Sequence, residues 1–399
     1  MISVVGTWMQ ATAQAWLVYR LTGSEILLGL VGFADKVPIF LLGVLGGAAA
    51  DRFDRHRIVV VTQVASMVQA LILGVLVVSG QAQVWHIFAL AIVMGTINAF
   101  DTPARQALIS AMVEHDALPN ALALNSSVFN AARVMGPALA GIVVATVGEG
   151  VCFLINALSY VGVIVCLTLM RLPGRRSDGP GVGLLTHLKQ GLAYAAGNVP
   201  SRALLLLLGA ISLFGAPYVV LMPIFAGKIL GGGAGGLGFL MASSGVGAFL
   251  AAVMLARRRS TAGLGRVVAM GAIGFGSGLV ALSFSRSYAL SSAILVVIGF
   301  SLIAEAAATN LLLQSLTPDH LRGRVMSLYT IMLLGMSPWG SLIAGTVAHA
   351  VGAPGTVLMG GVVCMLAGVA FAFRIPAMRP LVRYPIPESP KAPASQDPA

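Results

Sequence analysis

Hydrophobic residues along this chain occur in long, almost unbroken blocks that are separated by short polar segments. A helix needs about 20 mostly apolar residues to cross the hydrocarbon core of a bilayer. A backbone in lipid must satisfy its own hydrogen bonds, so each block of this length is predicted to be a helix. Twelve such blocks lie near 1–20, 26–50, 58–80, 84–101, 121–147, 151–170, 203–226, 235–256, 266–285, 289–311, 325–350 and 355–373. The pattern therefore predicts an all-α membrane protein with twelve transmembrane helices.

The composition supports a membrane protein and excludes several other classes. Of the 399 residues, 58% are hydrophobic and 9% are charged, whereas soluble domains carry about 25% charged residues. A soluble enzyme, a disordered chain and a disulfide-rich module are thereby excluded. The three cysteines, Cys152, Cys166 and Cys364, all lie in apolar blocks, and the six histidines are scattered. No metal site, cofactor site or catalytic constellation is predicted, so we do not expect an enzyme.

The net charge is +11, and its interpretation depends on how the positive residues are distributed over the predicted loops. Of the 24 Lys and Arg residues, 19 fall on one side of the predicted membrane, 3 on the other and 2 within spans. Cytoplasmic loops carry the excess of positive charge, so both termini are predicted to be cytoplasmic and nucleic acid is not an expected partner. The first span begins at Met1 without a basic flank or cleavage site, so no signal peptide is expected and the natural start could lie upstream.

The long polar segment 171–202 divides the spans into six and six. We predict a first six-helix bundle over 1–170, a cytoplasmic central loop over 171–202 with a surface helix at 183–197, and a second bundle over 203–373. Short matches such as Gly32-Phe33 and Gly238-Phe239 suggest that the halves are related. Residues 374–399 are rich in proline and are predicted to form a disordered cytoplasmic tail.

The segment between the second and third spans carries a recognisable motif. It reads Gly47-Ala-Ala-Ala-Asp51-Arg52-Phe-Asp54-Arg55-His56-Arg57. This resembles the G-x3-D-R-x-G-R-[RK]-[RK] loop of the major facilitator superfamily, with Asp54 in place of the preferred glycine. The resemblance implies two pseudo-symmetric six-helix bundles and secondary transport in the cell (inner or plasma) membrane, with a monomer as the expected state.

A second stretch narrows the resemblance. Asn98-Ala-Phe-Asp101-Thr-Pro103-Ala-Arg105 and Arg133-Val-Met-Gly136-Pro137-Ala-Leu-Ala-Gly141 look like the branch that contains enterobactin exporters and macrolide-efflux proteins. Gly136, Pro137 and Gly141 also resemble an antiporter motif of the fifth helix. The resemblance therefore implies export of a small molecule.

The resemblance also implies a gate at the cytoplasmic face. Gly47 allows close approach of a partner helix, and Asp51 could accept hydrogen bonds from the start of the eleventh helix near Arg324. Arg55 is expected to pair with Asp101, with Arg52, Arg57 and Arg105 completing the motif. The alternative is that these arginines only determine topology.

Charged residues inside the spans are the strongest candidates for coupling, because each costs about 2.5–3.5 kcal/mol at a helix centre. Asp35 and Glu305 are candidate proton carriers, with Arg133 as a modulating cation. The alternatives are a local ion pair or an outer-interface position for Asp35, a helix-end cap or structural pair for Glu305, and a structural link for Arg133.

Polar and aromatic residues on three spans are candidates for the substrate cavity, although ordinary helix packing is the alternative for each. They are Gln10, Gln14, Asn130, Phe214 and Tyr218. The expected function is export of an amphipathic molecule, a drug or a siderophore-like compound, by alternating access with proton antiport. The expected partners are thus the substrate, protons and the lipid bilayer. A lipid or lysophospholipid transporter of the same superfamily and a non-transporting receptor or scaffold remain the alternatives.

Overall fold

The computed structural model describes residues 1–113, 117–170, 184–258 and 260–382, without side chains at 118–119, 122–123, 184–189 and 376–382. Within these ranges all regular structure is helical. The first half contains α1 (Ile2–Thr22), α2 (Glu25–Arg52), α3 (Arg55–Val78), α4 (Val84–Met112), α5 (Leu118–Val147) and α6 (Glu149–Leu169). The linker contains α7 (Leu184–Gly197), as predicted. The second half begins with α8 (Val199–Ile229), α9 (Gly233–Ala256), α10 (Leu264–Phe284) and α11 (Tyr288–Leu316).

The last helical stretch is interrupted at Gly352, whose backbone adopts φ 80° and ψ 159°. This break separates α12 (319–351) from α13 (353–382). Two helices of the second half also contain π-helical turns, at Ile211–Gly215 and Phe225–Ile229 in α8 and at Ile331–Gly335 in α12.

The described residues form twelve helices that correspond to the predicted spans, which confirms the predicted fold class. Ten helical stretches among the described residues are long and apolar enough to span a bilayer. One of them, Asp319–Ile375, contains 57 residues and is divided at Gly352 into α12 and α13. The remaining span is the more polar α1, which packs against α5 and α6.

Several helices extend past the predicted limits of their apolar blocks. Helix α4 continues to Met112 rather than ending near residue 101, and α11 ends at Leu316 rather than near 311. Helix α13 continues to Val382, although residues from 374 onward were expected to be disordered. Helical hydrogen bonds do not require lipid, so hydropathy marks only the part of a helix that lies in the hydrocarbon layer. Residues 383–399 of the predicted tail lie outside the described residues.

Helix ends follow local capping chemistry. The side chain of Ser24 accepts a hydrogen bond from the Leu27 amide at the start of α2, and the side chain of Asp54 accepts one from the His56 amide at the start of α3. Asp54 has φ −62°, so the position where the family pattern prefers glycine needs no left-handed backbone here. The α2–α3 turn therefore forms with a capping aspartate.

Within each half, consecutive spans are separated by only a few residues and therefore run in alternating directions. We call the end that carries the α2–α3, α4–α5, α9–α10 and α11–α12 connections the basic end, and the other end, which carries Arg20 and Glu149, the opposite end. In the first bundle α2 packs on α4 and α3 on α6, and in the second bundle α9 and α10 pack on α11. The two bundles meet along α5–α9 and α2–α12, and α7 packs on the second bundle.

Candidate functional site in the space between the bundles

The two bundles approach each other most closely in the half nearer the opposite end. A Cβ atom added to Gly29 of α2 would lie 2.7 Å from the Ser341 carbonyl oxygen and 2.8 Å from the Gly345 Cα of α12. At the second interface, a Cβ atom on Gly238 of α9 would lie 2.5 Å from the Gly141 Cα of α5. Only glycine allows backbones to come this close, so these contacts close the opposite end.

The antiporter-like motif takes part in this closure. The Pro137 carbonyl oxygen lies 2.5 Å from the position of a Cβ on Gly238, and Gly141 contacts the same residue. Gly136 instead faces α1, where an added Cβ would lie 2.4 Å from the Trp8 Cβ. The motif therefore joins α5 to α9 of the other bundle and to α1 of its own.

Towards the basic end the bundles separate. No atom lies within 4 Å of the Cβ position of Gly43 or Gly47 on α2, or of Gly323 on α12. The space between the bundles is thus open at the basic end and closed at the opposite end.

The expected latch at the basic end is not formed in this conformation. Asp51 is exposed, and no hydrogen bond or ion pair of its side chain is found among the described residues. Arg55 donates from Nε to the Ala50 carbonyl oxygen at 3.1 Å and does not pair with Asp101 as predicted. The expected contact of Asp51 with α12 joins the two bundles and cannot form where they are separated. Arg55 and Asp101 belong to the same bundle, where other donors occupy the Asp101 carboxylate.

Asp101 instead organises the interior of the first bundle. It is 3% exposed and accepts hydrogen bonds from the Thr62 hydroxyl at 2.7 Å and the Gln63 amide at 3.0 Å. Arg105, one turn along α4, forms an ion pair with its other oxygen. Three donors thus satisfy one buried carboxylate. Of these three donors, the sequence had indicated only Arg105.

The remaining arginines of the motif lie at the surface. Arg52 and Arg57 are exposed, and Arg57 lies 3.7 Å from the carboxylate of Asp54. Both arginines line a mainly apolar groove of about 690 Å³ along α3 and α4, with Phe100 and Val61 on its walls. This groove belongs to the first bundle and lies outside the space between the bundles.

At mid-height of the α5–α9 interface lie four residues that we call the central cluster: Trp8, Arg133, Tyr218 and Ser244. The guanidinium carbon of Arg133 lies 5.3 Å from the centroid of the Trp8 ring, within the range of a cation–π contact. The hydroxyls of Tyr218 and Ser244 lie 3.0 Å apart. The cluster therefore combines groups from α1 and α5 of one bundle with groups from α8 and α9 of the other.

Backbone packing brings the two halves of the central cluster to the same level. A Cβ on Gly245, the neighbour of Ser244, would lie 2.9 Å from the Arg133 carbonyl oxygen. The Tyr218 side chain is also close enough to interact electrostatically with Arg133. Ser244 is a residue that sequence reasoning missed, because a serine within an apolar helix carries no signal of its direction.

The two candidate proton carriers lie apart from this cluster. Glu305 is fully buried within the second bundle, where the Thr309 hydroxyl donates to its Oε1 at 2.9 Å. Its Oε2 has no hydrogen-bond partner among the described residues. Asp35 lies on α2 of the first bundle, with Lys36 as its electrostatic neighbour. In the described part of the chain, no ion pair or hydrogen bond links Asp35, Arg133 and Glu305.

Gln10 does not line the space between the bundles. It is 3% exposed and donates to the Gln69 Oε1 at 2.9 Å, while the Asn156 amide donates to the Gln10 Oε1 at 2.7 Å. The Gln69 amide donates in turn to the Leu90 carbonyl oxygen at 3.2 Å. We call Gln10, Gln69 and Asn156 the amide network, and it ties α1, α3 and α6 together inside the first bundle.

The other cavity candidates have different surroundings. The Asn130 amide donates to the Ser126 carbonyl oxygen of its own helix at 2.8 Å. Gln14 is half-buried without a side-chain hydrogen bond among the described residues, and Phe214 is 44% exposed within the first π-helical turn of α8. Of the five candidates, the structure brings only Tyr218 into the central cluster.

Comparison with known proteins agrees with this architecture. The family model described as "transmembrane secretion effector", of the major facilitator superfamily, matches residues 1–391. The chain belongs to this family. It is therefore a multi-pass membrane transporter and not an enzyme, as the sequence predicted.

Two of the relatives match nearly the whole chain, and a third matches half of it. A staphyloferrin A transporter of Staphylococcus aureus is 27% identical over 375 residues, which are 92% of each chain. The multidrug efflux pump Tap of Mycolicibacterium fortuitum is 24% identical over 94% of this chain and 93% of its own length. Macrolide efflux protein A of Streptococcus pyogenes is 23% identical over 51% of this chain and 50% of its own.

Solved structures confirm the fold. A bacterial homologue of the human lysosomal transporter Spinster, in an inward-facing and occupied conformation, superposes with a TM-score of 0.73 at 13% identity, covering 96% of this chain and 97% of the other. A nucleoside transporter superposes with a TM-score of 0.70, covering 93% and 96%.

Proposed function

We propose that this family member exports an amphipathic small molecule across the cell membrane by alternating access, with protons entering in exchange. The observation that carries the proposal is the asymmetric contact between the bundles, close at Gly29–Gly345 and Gly141–Gly238 and absent around Gly43 and Gly47. An assembly of two bundles that is closed at one end and open at the other is one of the two states that alternating access requires.

The basic end gives the orientation of the transporter in the membrane, and the efflux proteins among its relatives support export as the direction. Positively charged loops favour the cytoplasmic side of a membrane, so the basic end would face the cytoplasm with both termini. In the conformation described, the space between the bundles would then accept substrate from the cytoplasm. Relatives named as siderophore, multidrug and macrolide transporters support an amphipathic substrate.

Glu305 is the favoured proton carrier. It is fully buried, and one of its carboxyl oxygens has no partner among the described residues. An ionised carboxylate would leave a buried charge without a counter-ion, which is strongly unfavourable. We therefore propose that Glu305 carries a proton in this conformation and releases it when the bundles rearrange and water or a cation reaches it. Asp35, which is half-buried on α2, is the second candidate.

Transport in inverted membrane vesicles tests this proposal. A panel of amphipathic dyes and drugs is added outside, and accumulation is followed with and without an imposed pH gradient at zero membrane potential. We expect concentrative uptake of at least one compound that stops when the pH gradient is collapsed. Uptake that persists without the gradient would refute proton coupling, and the absence of flux for every compound, siderophores included, would favour a receptor or scaffold.

The role of Glu305 is tested by Glu305→Gln, with Glu25→Gln as the matched control. Glu25 is half-buried in the first turn of α2, and its side chain makes no hydrogen bond or ion pair among the described residues. The Glu305 variant should lose uphill transport but keep downhill exchange, because the amide cannot release a proton. Full uphill transport by Glu305→Gln would remove this residue from the mechanism and transfer the proposal to Asp35.

A further inference from the structure

Arg133 is a charged residue within the membrane that has no anionic partner among the described residues. It is half-buried on α5, and the ion pairs formed elsewhere in the described chain leave it out. Asp35 and Glu305 form neither an ion pair nor a hydrogen bond with it in the part of the chain that the structure describes. A cation at this depth is costly unless an anion or water reaches it, so its position calls for a ligand.

The contact that Arg133 does make leaves its hydrogen-bond donors available. Its guanidinium carbon lies 5.3 Å from the centroid of the Trp8 ring, and its N–H groups donate no hydrogen bond among the described residues. A planar fork of such donors matches the two oxygens of a carboxylate. Phe129 packs edge-on against Trp8 with ring centroids 5.8 Å apart, so an apolar surface lies beside the cation.

The other bundle supplies hydroxyl groups at the same level. Tyr218 and Ser244 share a hydrogen bond of 3.0 Å, and close packing of Gly245 on the Arg133 backbone places them beside α5. An anion held by Arg133 can therefore be contacted from both bundles. Such contact gives the substrate a physical means of influencing how the bundles sit relative to one another.

We propose that the central cluster is a carboxylate-binding site, and that the exported substrate is an amphipathic organic anion or zwitterion. Arg133 pairs with the carboxylate of the substrate, Trp8 and Phe129 pack against its apolar part, and the Tyr218–Ser244 pair contacts it from the second bundle. The inference rests on the proposed export function, and it assigns Arg133 to substrate recognition rather than to modulation of a proton carrier.

Two dyes that differ in one group test the assignment: rhodamine B, which has a free carboxylate, and its ethyl ester. Binding of each dye to the full-length protein in lipid nanodiscs is measured by fluorescence polarisation. We expect the acid to bind at least about tenfold more tightly than the ester, because a charge-assisted hydrogen bond contributes about 1.5–3 kcal/mol. Arg133→Gln should bind the two dyes equally, Arg133→Lys should keep part of the preference, and Arg286→Gln at the opposite end should keep all of it.

Several results would overturn the assignment. The first is that the wild type shows no preference for the acid, which includes the case in which it binds neither dye. The second is that the preference for the acid survives in Arg133→Gln. The third is that Arg133→Gln loses the binding of both dyes equally, which would indicate a structural role. Vesicle uptake separates this failure from failure of the proposed function. If wild-type vesicles accumulate the ester in a pH-dependent way while no acid preference exists, export stands and carboxylate recognition falls.

Discussion

The close contact between Gly29 and Gly345 predicts that one added methyl group will change which end of the transporter is open. In Gly29→Ala the new Cβ would lie 2.7 Å from the Ser341 carbonyl oxygen, whereas ordinary contacts lie at 3.4–4 Å. The obstructing atoms belong to the backbone, so no side chain can rotate away and α2 and α12 must move apart by about 1 Å. Overpacking of this kind costs about 1–3 kcal/mol. Since each 1.4 kcal/mol is a factor of ten, the closed state at the opposite end should lose about 5- to 150-fold in relative population.

Distance measurements between spin labels can detect this shift. Labels at Leu21 of α1 and Val351 of α12, which are 41% and 54% exposed near the opposite end, would report its opening in a variant that lacks the native cysteines. Gly29→Ala should increase the fraction of long distances in lipid nanodiscs.

Two other glycines of the same helix provide matched controls for this experiment. Gly43→Ala meets no atom within 4 Å and should leave the distance distribution unchanged. In Gly46→Ala the new Cβ would lie 2.0 Å from the Ala99 carbonyl oxygen within the first bundle, so it should lower thermal stability instead of opening the opposite end. The reasoning is refuted if Gly29→Ala leaves the distances as they are, or if Gly43→Ala shifts them equally.

Three further predictions concern contacts within the first bundle. Gln10→Leu should lower stability by about 1–3 kcal/mol in thermal unfolding, because it leaves the buried amides of Gln69 and Asn156 without their partner at residue 10. The control Gln14→Leu should be near neutral, and equal effects of the two substitutions would contradict a stabilising role of the amide network. Glu149→Gln should cost about 1 kcal/mol or less, because its partner Arg20 is 51% exposed and solvent screens the ion pair; a loss of several kcal/mol would contradict this. Asp101→Asn should destabilise more than Glu149→Gln in the same assay, because it weakens three donor contacts at a buried site.

The sequence was sufficient to predict the spans because the signal for a bilayer crossing is long and redundant. Each apolar block identifies its own helix, and the loop motif at Gly47–Arg57 indicates the superfamily independently. Among the described spans, α1 has the weakest hydropathy signal, because polar residues that lie in the interior of the bundle lower its mean hydropathy.

The partners of individual polar residues could not be predicted in the same way. In a membrane helix both the lipid-facing and the bundle-facing surfaces are apolar, so a polar residue shows only that it avoids lipid. Gln10 and Tyr218 are both side chains with polar groups within an apolar span, so the sequence does not distinguish their surroundings. Gln10 nevertheless faces its own bundle, whereas Tyr218 contributes to the central cluster. The expected Arg55–Asp101 pair fails for another reason, since Thr62, Gln63 and Arg105 occupy the Asp101 carboxylate inside the same bundle.

The distribution of contact types favours motion between the bundles over motion inside them. Within the first bundle, buried hydrogen bonds of the amide network and around Asp101 join helices, and separating those helices would leave polar groups unpaired in a low-dielectric interior. Between the bundles, the contacts are glycine backbones and apolar side chains such as Phe33 and Trp339, and no side-chain hydrogen bond joins the bundles among the described residues. The interface that is easiest to open is thus the one that alternating access needs to open, and the central cluster lies on it, where a bound substrate would add contacts from both sides.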